Sequence, residues 1–344
     1  MTRLLPLSIL VTGCLAAALV SCAPRYRGPR TNHFTGKKFI NPGQPERSAG
    51  SVLEWLLHRD KGPWPEQLDA YVGPKPQTRV MGDSLVLTFV NHSTFLIQTN
   101  GLNILTDPVW SERVGPTSWL GVKRKRPPGL RFEELPPIDV VLLSHNHYDH
   151  LDLPTIKRLV KAHNPLFVTP LGVSYLPAGA GGRVSRELDW GDTLRINDRL
   201  SLACTQAQHF SNRGLFDRDQ TLWAGYLLHT TFGTIYFCGD SAYGSHFADI
   251  RRQANGPVKL ALLPIGSYRP EWFMAPVHMS PDGAVKTFID LKAQQAVGIH
   301  FGTFQQGDDG LAEPATDLRR ALTTHVVDPR RFIVPQEGWA LVFH

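Results

Sequence analysis

Ser144-His145-Asn146-His147-Tyr148-Asp149-His150 sets three imidazoles and a carboxylate within six residues, directly behind the apolar run Ile138 to Leu143. A continuous apolar run of that length is what a strand buried on both faces requires. Three polar rings and an acid at the end of such a strand are hard to satisfy unless something ligates them. Imidazole with carboxylate suits zinc or iron, and no ligand-spaced Cys pair is present, which argues against a purely structural zinc knot. Just after the cluster, Leu153, Ile156, Leu159 and Val160 fall on one face of a helix.

Outward from this unit the chain alternates strands and helices. Leu85 to Val90 and Thr94 to Gln98 are strand-like, Asn100-Gly101 is a hairpin turn, and Leu102 to Thr106 returns. Further strands are expected at Leu166 to Thr169, Leu194 to Ile196, Leu200 to Thr205, Leu222 to Leu228, Thr234 to Cys238, Val258 to Leu263 and Val297 to Ile299. Pro281 opens a helix through Leu291, Glu313 to Leu322 forms the last one, and Val52 to Leu57 forms a short early one. Interleaved strands and helices with a similar pattern in each half predict an α/β fold, two sheets packed together with helices outside.

The composition is that of a globular chain with material for a sizeable core: 42% of the 344 residues are hydrophobic and 19% charged. The formal net charge of +6 is compatible with nucleic acid, anionic lipid or a phosphate substrate, but the basic residues form no long stripe, so nucleic acid is not expected as a partner. At the N-terminus Arg3 precedes the apolar stretch Leu4 to Val20, too short for a spanning helix and followed by a polar, Pro-rich segment. It ends in Leu19-Val20-Ser21-Cys22, which resembles the bacterial lipobox. That resemblance implies a signal peptide over 1–21, a diacylated Cys22 and, with Ala23 next, an outer-membrane location facing the periplasm. Residues 22–50, rich in Pro, Gly, Arg and Asn, read as a tether, leaving 51–344 as one domain. Cys204 and Cys238 lie in apolar runs; a disulfide and two buried thiols are both compatible with an oxidising compartment.

His145-Asn146-His147-Tyr148-Asp149-His150 looks like the HxHxDH signature of metallo-β-lactamase-fold hydrolases, whose αββα sandwich is the fold it implies. That superfamily takes further ligands from loops after later strands, and matching pieces occur in order: Gln208-His209-Phe210, Gly239-Asp240-Ser241 and Ile299-His300-Phe301-Gly302. Carried over, the resemblance implies that His145, His147 and His209 hold one metal, that Asp149, His150 and His300 hold a second, and that Asp240 bridges them. The implied cofactors are two zinc ions, with iron an option. A closer resemblance is to the N-acyl-phosphatidylethanolamine-hydrolysing phospholipase D family. Leu143 to Asp152, Leu263-Pro264-Ile265-Gly266-Ser267-Tyr268, Trp272-Phe273-Met274, Gly298 to Phe304, Val90 to Thr94 and Leu105 to Val109 carry it.

The resemblance implies a phospholipid or other phosphodiester substrate, attacked at phosphorus by a hydroxide shared between two metals. Asp149 and Asp240 would be catalytic carboxylates, and His278, in Pro276-Val277-His278-Met279, would face the phosphate or protonate the leaving group; it could instead be a helix-start residue. Asp107 would orient a ligand histidine, or make a plain Asp-Pro turn. His92 would line the site or pack beneath the hairpin. Lys123-Arg124-Lys125-Arg126, close to Trp119 and Leu120, would dock on anionic headgroups or form a solvated loop. Two other functions compete: a lactone or small-ester hydrolase on the same fold, and a non-catalytic lipid-binding lipoprotein. The complete ligand set argues against the latter, and the absence of a Gly-x-Ser-x-Gly elbow argues against a serine nucleophile. β-Lactam hydrolysis ranks low, because the closer motifs belong to another branch.

Overall fold

The computed structural model describes residues 26–44, 49–182 and 185–344. The expected signal peptide and Cys22 lie outside them. Two seven-stranded mixed sheets face one another. The first is built from β1 (Leu85–Asn91), β2 (Thr94–Thr99), β3 (Leu102–Thr106), β6 (Val140–Leu142), β7 (Leu166–Pro170), β8 (Ser185–Leu188) and β16 (Ala340–Phe343), in the order β16-β1-β2-β3-β6-β7-β8. The second runs β15-β14-β13-β12-β11-β10-β9, from β15 (Phe332–Ile333), β14 (Gln295–Ile299), β13 (Val258–Pro264), β12 (Thr234–Phe237), β11 (Ala224–His229), β10 (Ser201–Gln206) and β9 (Thr193–Arg195). In each sheet an antiparallel portion built on hairpins adjoins a parallel portion built on helical crossovers.

Alternation of side chains along each strand makes three apolar layers from two sheets. Leu87, Phe89, Ile97, Ile104 and Leu142 meet Leu202, Tyr226, Phe237, Leu262 and Val297 between the sheets. The opposite side of the first sheet packs Leu96, Val141 and Phe167 on Ile156 and Leu159 of α2 (Leu153–Ala162). The opposite side of the second packs Tyr236, Ala261 and Leu263 on α4 (His246–Gln253), α6 (Pro281–Asp290) and α7 (Glu313–Thr324). The αββα sandwich is thus as expected. At the β2–β3 turn Asn100 and Gly101 have φ of 54° and 75°, the left-handed pair that a two-residue hairpin demands. Cys204 faces the inter-sheet layer and Cys238 the helix side, so the two are separate buried thiols and form no disulfide.

The expected tether is corrected in part. Residues 26–44 form a strap against the second sheet's end, with Phe34 and Phe39 each 1% exposed among Ala207, Leu222 and Trp223. His33 Nε2 lies 2.7 Å from Asp189 Oδ1, with its ring stacked on Trp190. Burying each phenylalanine contributes about 1.5–3 kcal/mol toward the docked strap, one part of what offsets ordering its backbone at about 1–2 kcal/mol per residue. α1 (Ala49–Leu57) begins three residues earlier than Val52 and stacks Trp55 on Phe273 of α5 (Glu271–Met274) at 4.7 Å. β8, β15, β16, α3 (Tyr175–Gly179), α4 and α5, and the small ribbon β4 (Arg113–Val114) with β5 (Val122–Lys123), were not anticipated.

Candidate metal centre

Strand ends build the site. β6 delivers His145, β10 His209, β12 Asp240 and β14 His300, all from one edge of the sandwich. Gly239 lets the β12 loop reach the histidine loop: its φ is +61°, and a Cβ there would stand 2.5 Å from Ser144 Cβ.

All seven expected ligands converge, in two clusters. His145 Nε2 and His209 Nε2 lie 2.8 and 3.2 Å from His147 Nδ1. Asp149 Oδ2 lies 3.1 Å from His150 Nε2 and 3.4 Å from His300 Nε2. Asp240 Oδ2 stands between the clusters, 3.0 Å from His300 Nε2, 3.2 Å from His150 Nε2 and 3.7 Å from His209 Nε2. His92 joins the second cluster, with Nε2 3.0 Å from Asp149 Oδ2. It lines the site from the β1–β2 turn rather than merely packing beneath it, and φ of 48° at its own backbone aims the ring inward. His278 Nδ1 lies 3.8 Å from Asp240 Oδ2, its ring 5.0 Å from that of His209. His278 precedes the helix proper: α6 starts at Pro281, with Ser280 capping through a hydrogen bond accepted from the Gly283 amide.

The outer ring nitrogens explain the inward ones. His150 Nδ1 donates to Asp107 Oδ2 at 2.7 Å, and His209 Nδ1 donates to the Val277 carbonyl at 2.8 Å. His145 Nδ1 donates to Ser144 Oγ at 2.9 Å, which in turn donates to Asp107 Oδ2 at 2.6 Å. Asp107 therefore orients two histidines, one directly and one through Ser144, and each Nε2 lone pair is left pointing inward. Arg213 grips the same loop, donating to the carbonyls of Asn146 and Leu151 at 2.8 and 2.7 Å.

Electrostatics divide the clusters. Burial, then the neighbouring imidazoles, hold His145 and His209 well below the ordinary histidine pKa, and burial brings His147 to about 3. These three rings are neutral donors. Burial opposes charge on His150 and His300, but Asp240 and Asp149 outweigh it, raising His300 to about 9 and His150 well above its ordinary value. Burial would raise Asp149 and Asp240; the facing imidazoliums of His150 and, at Asp240, His300 win and hold both well below the usual carboxylate range. His150 Nε2 and His300 Nε2 sit at ion-pair distance from Asp149 and Asp240 without an aligned hydrogen bond, and Asp240 Oδ1 has no hydrogen-bond partner among the described residues. Converging lone pairs, orphaned buried donor atoms and a mixed nitrogen–oxygen set fit divalent metal ions.

The centre opens into a cavity of about 370 Å³. His147, Asp149, Asp240, His278 and His300 line its polar side, and Val52, Trp55, Val114, Val122, Phe210 and Phe273 its apolar side. Sequence patterns missed Trp55 and Phe210 here, and Ser144 and Arg213 behind the ligands; none repeats with a period or spacing that announces a site. The basic run proves half structural: buried Arg124 donates to the carbonyls of Ser111 and Val109, and Arg126 pairs with Glu337.

A family model described as a beta-lactamase superfamily domain matches residues 102–301. The chain belongs to this superfamily of metal-dependent hydrolases. Within it, the chain is related to the N-acyl-phosphatidylethanolamine-hydrolysing phospholipases D. It is 36% identical to such an enzyme, phospholipase D 1 of Caenorhabditis elegans, over 69% of this chain and 70% of that one. It is 35% identical to the mitochondrial enzyme of Saccharomyces cerevisiae over 67% of this chain but only 50% of the yeast one. An isothiocyanate hydrolase from Delia radicum gut bacteria shares the fold, with a TM-score of 0.60 and 20% identity over 75% of this chain and 99% of that one.

Proposed function

We propose that the chain is a phosphodiesterase of the phospholipase D type, acting on membrane phospholipids such as N-acyl-phosphatidylethanolamines. The observation that carries this is the two-sided cavity. A phospholipid presents a charged phosphodiester joined to apolar chains, and the cavity pairs a polar floor of imidazoles and carboxylates, suited to hold cations, with apolar walls. The elements forming those walls also carry exposed apolar residues. These are Leu56 and Leu57 on α1, Trp272 on α5, Trp119 and Leu120 at the tip of the β4–β5 ribbon, and Leu215 and Phe216 in the loop between Asn212 and Arg218. Trp119 is 74% and Leu215 90% exposed. Such a rim suits a lipid surface better than a small soluble ester.

His145, His147 and His209 would hold one metal, Asp149, His150 and His300 a second, with Asp240 shared. When bound, such a pair supplies Lewis acidity and lowers the pKa of a water for attack on phosphorus. The chain's own part is to orient the ligands through Asp107 and Ser144, to seat the apolar chains along Phe210, Phe273 and Trp55, and to aim His278 at a phosphoryl oxygen. Purified protein should hydrolyse vesicles containing N-acyl-phosphatidylethanolamine, releasing phosphatidic acid, faster than it opens a simple lactone. Preference for the lactone would overturn this assignment in favour of the ester-hydrolase alternative.

We also propose that the enzyme is lipid-anchored at Cys22 in the outer membrane, facing the periplasm. Labelled fatty acid should be incorporated into the wild type, and Cys22→Ser should leave the membrane fraction or remain uncleaved. A soluble, unlabelled wild type would refute the anchor.

A further inference from the structure

The strap over residues 26–44 reaches the metal centre at one residue. Asn41 Nδ2 donates to the backbone carbonyl of His209 at 2.7 Å. Asn41 Oδ1 accepts from the indole N–H of Trp223 at 3.0 Å. The amide orientation is dictated by its neighbours, because a carbonyl can only accept and an indole N–H can only donate.

The loop that carries His209 is braced at Gln208, whose amide donates to Ser241 Oγ at 2.9 Å, and at Ser211, whose Oγ donates to the Thr221 carbonyl at 2.8 Å, while Asn41 supplies the bond at the backbone of His209 itself. His209 stands three residues beyond the end of β10, whereas His147, Asp149 and His150 sit in one compact turn in which the amides of His150 and Leu151 bond back to the His147 carbonyl. The Val277 carbonyl fixes the His209 ring by its Nδ1, and Asn41 fixes the backbone from which the ring projects. The strap itself is held away from the metals, by the buried Phe34 and Phe39, by His33 against Asp189, and by the Phe39 amide donating to the Asp219 carbonyl at 2.8 Å. A second cavity of about 220 Å³ lies between the strap and this loop, lined by Phe39, Asn41, His209, Phe210 and Trp223 among others. On this side of the loop the Asn41 bridge spans the gap between strap and ligand.

We infer that Asn41 is a positioning residue for the metal held by His145, His147 and His209, which makes the strap part of the metal centre. The inference rests on the donor geometry alone and is independent of the substrate proposed above. Loss of a group that orients a ligand typically weakens metal binding by roughly 10–100-fold. Two variants separate positioning from docking. Asn41→Ala removes both bonds. Asn41→Asp keeps the acceptor for Trp223 and so the docked strap, but places an oxygen against the His209 carbonyl.

The test uses the full-length protein loaded with cadmium, whose nuclear resonance reports each position separately, and follows each signal under a chelator challenge. Both variants are expected to lose cadmium from the His145–His147–His209 position roughly 10–100-fold faster than wild type, with the Asp149–His150–His300 position unchanged. Wild-type retention in Asn41→Asp would show that Asn41 only docks the strap, and equal loosening of both positions would show general destabilisation; either result overturns the inference.

Discussion

With the two-metal site proposed above, Asp240→Ala is expected to leave one ion per chain or none and to bring turnover to the assay background. Asp240 Oδ2 lies within 4 Å of nitrogens from His150, His209, His278 and His300. Among the described residues, Asp149, the other carboxylate, pairs within 4 Å with His92, His150 and His300. Losing a shared ligand weakens both positions, whereas losing one imidazole weakens one. His209→Ala should therefore release mainly a single ion. Asp240→Ala also removes an anion that holds the His150 and His300 protons, so the pKa values of both should fall in the metal-free protein. That fall is measurable by imidazole NMR and tests the electrostatics without any metal. Elemental analysis finding two ions in Asp240→Ala would refute the bridging role.

His278→Ala is expected to leave metal content intact and to lower turnover of a phosphodiester such as bis(p-nitrophenyl) phosphate by about 10²–10³, the usual cost of removing one donor aimed at developing charge. His278 is 12% exposed at the side chain, lies on the cavity wall, and reaches the centre from a segment that carries no other ligand. A phosphodiester gains negative charge on its non-bridging oxygens in the transition state, and an imidazole aimed there counters it. A lactone develops charge at a single carbonyl oxygen, so the same substitution should affect its turnover less. Loss of a metal ion from His278→Ala would instead make this residue a ligand, a role its distance to Asp240 permits; unchanged rates on both substrates would leave it only a structural residue.

The legible part of the molecule is that in which chemistry and periodicity coincide. Ile138 to Leu143 followed by His145, His147, Asp149 and His150 could be read directly, because apolar strands of α/β folds leave polar loops at their ends. His209, Asp240 and His300 each follow a strand and became candidates by resemblance. His92 remained ambiguous, because a histidine in a tight turn can point either way; only the turn's left-handed φ directs it inward. The strap was invisible because its two buried aromatics, Phe34 and Phe39, sit among Gly, Pro and basic residues with no period. β16 was missed for the opposite reason: an edge strand with alternating exposure has half the apolar signal of a buried one. The docking role expected for Lys123 to Arg126 weakened once Arg124 proved buried, since charge counts do not reveal which guanidinium is satisfied internally.

The strap also sets the mechanics of any attachment at Cys22. A free segment over 22–50 would swing the domain on a chain with a root-mean-square reach of about 30 Å. With the Tyr26 ring packed 4.9 Å from Phe34 and 5.5 Å from Phe39, Cys22 is four peptide steps in sequence from an anchored residue, a reach of at most about 14 Å when fully drawn out. Lipid at that position would work as a pivot pin, leaving the domain free to tilt and spin in place but unable to stray from the bilayer, so that its accessible lipids would be those beneath its own shadow, replenished by lateral diffusion.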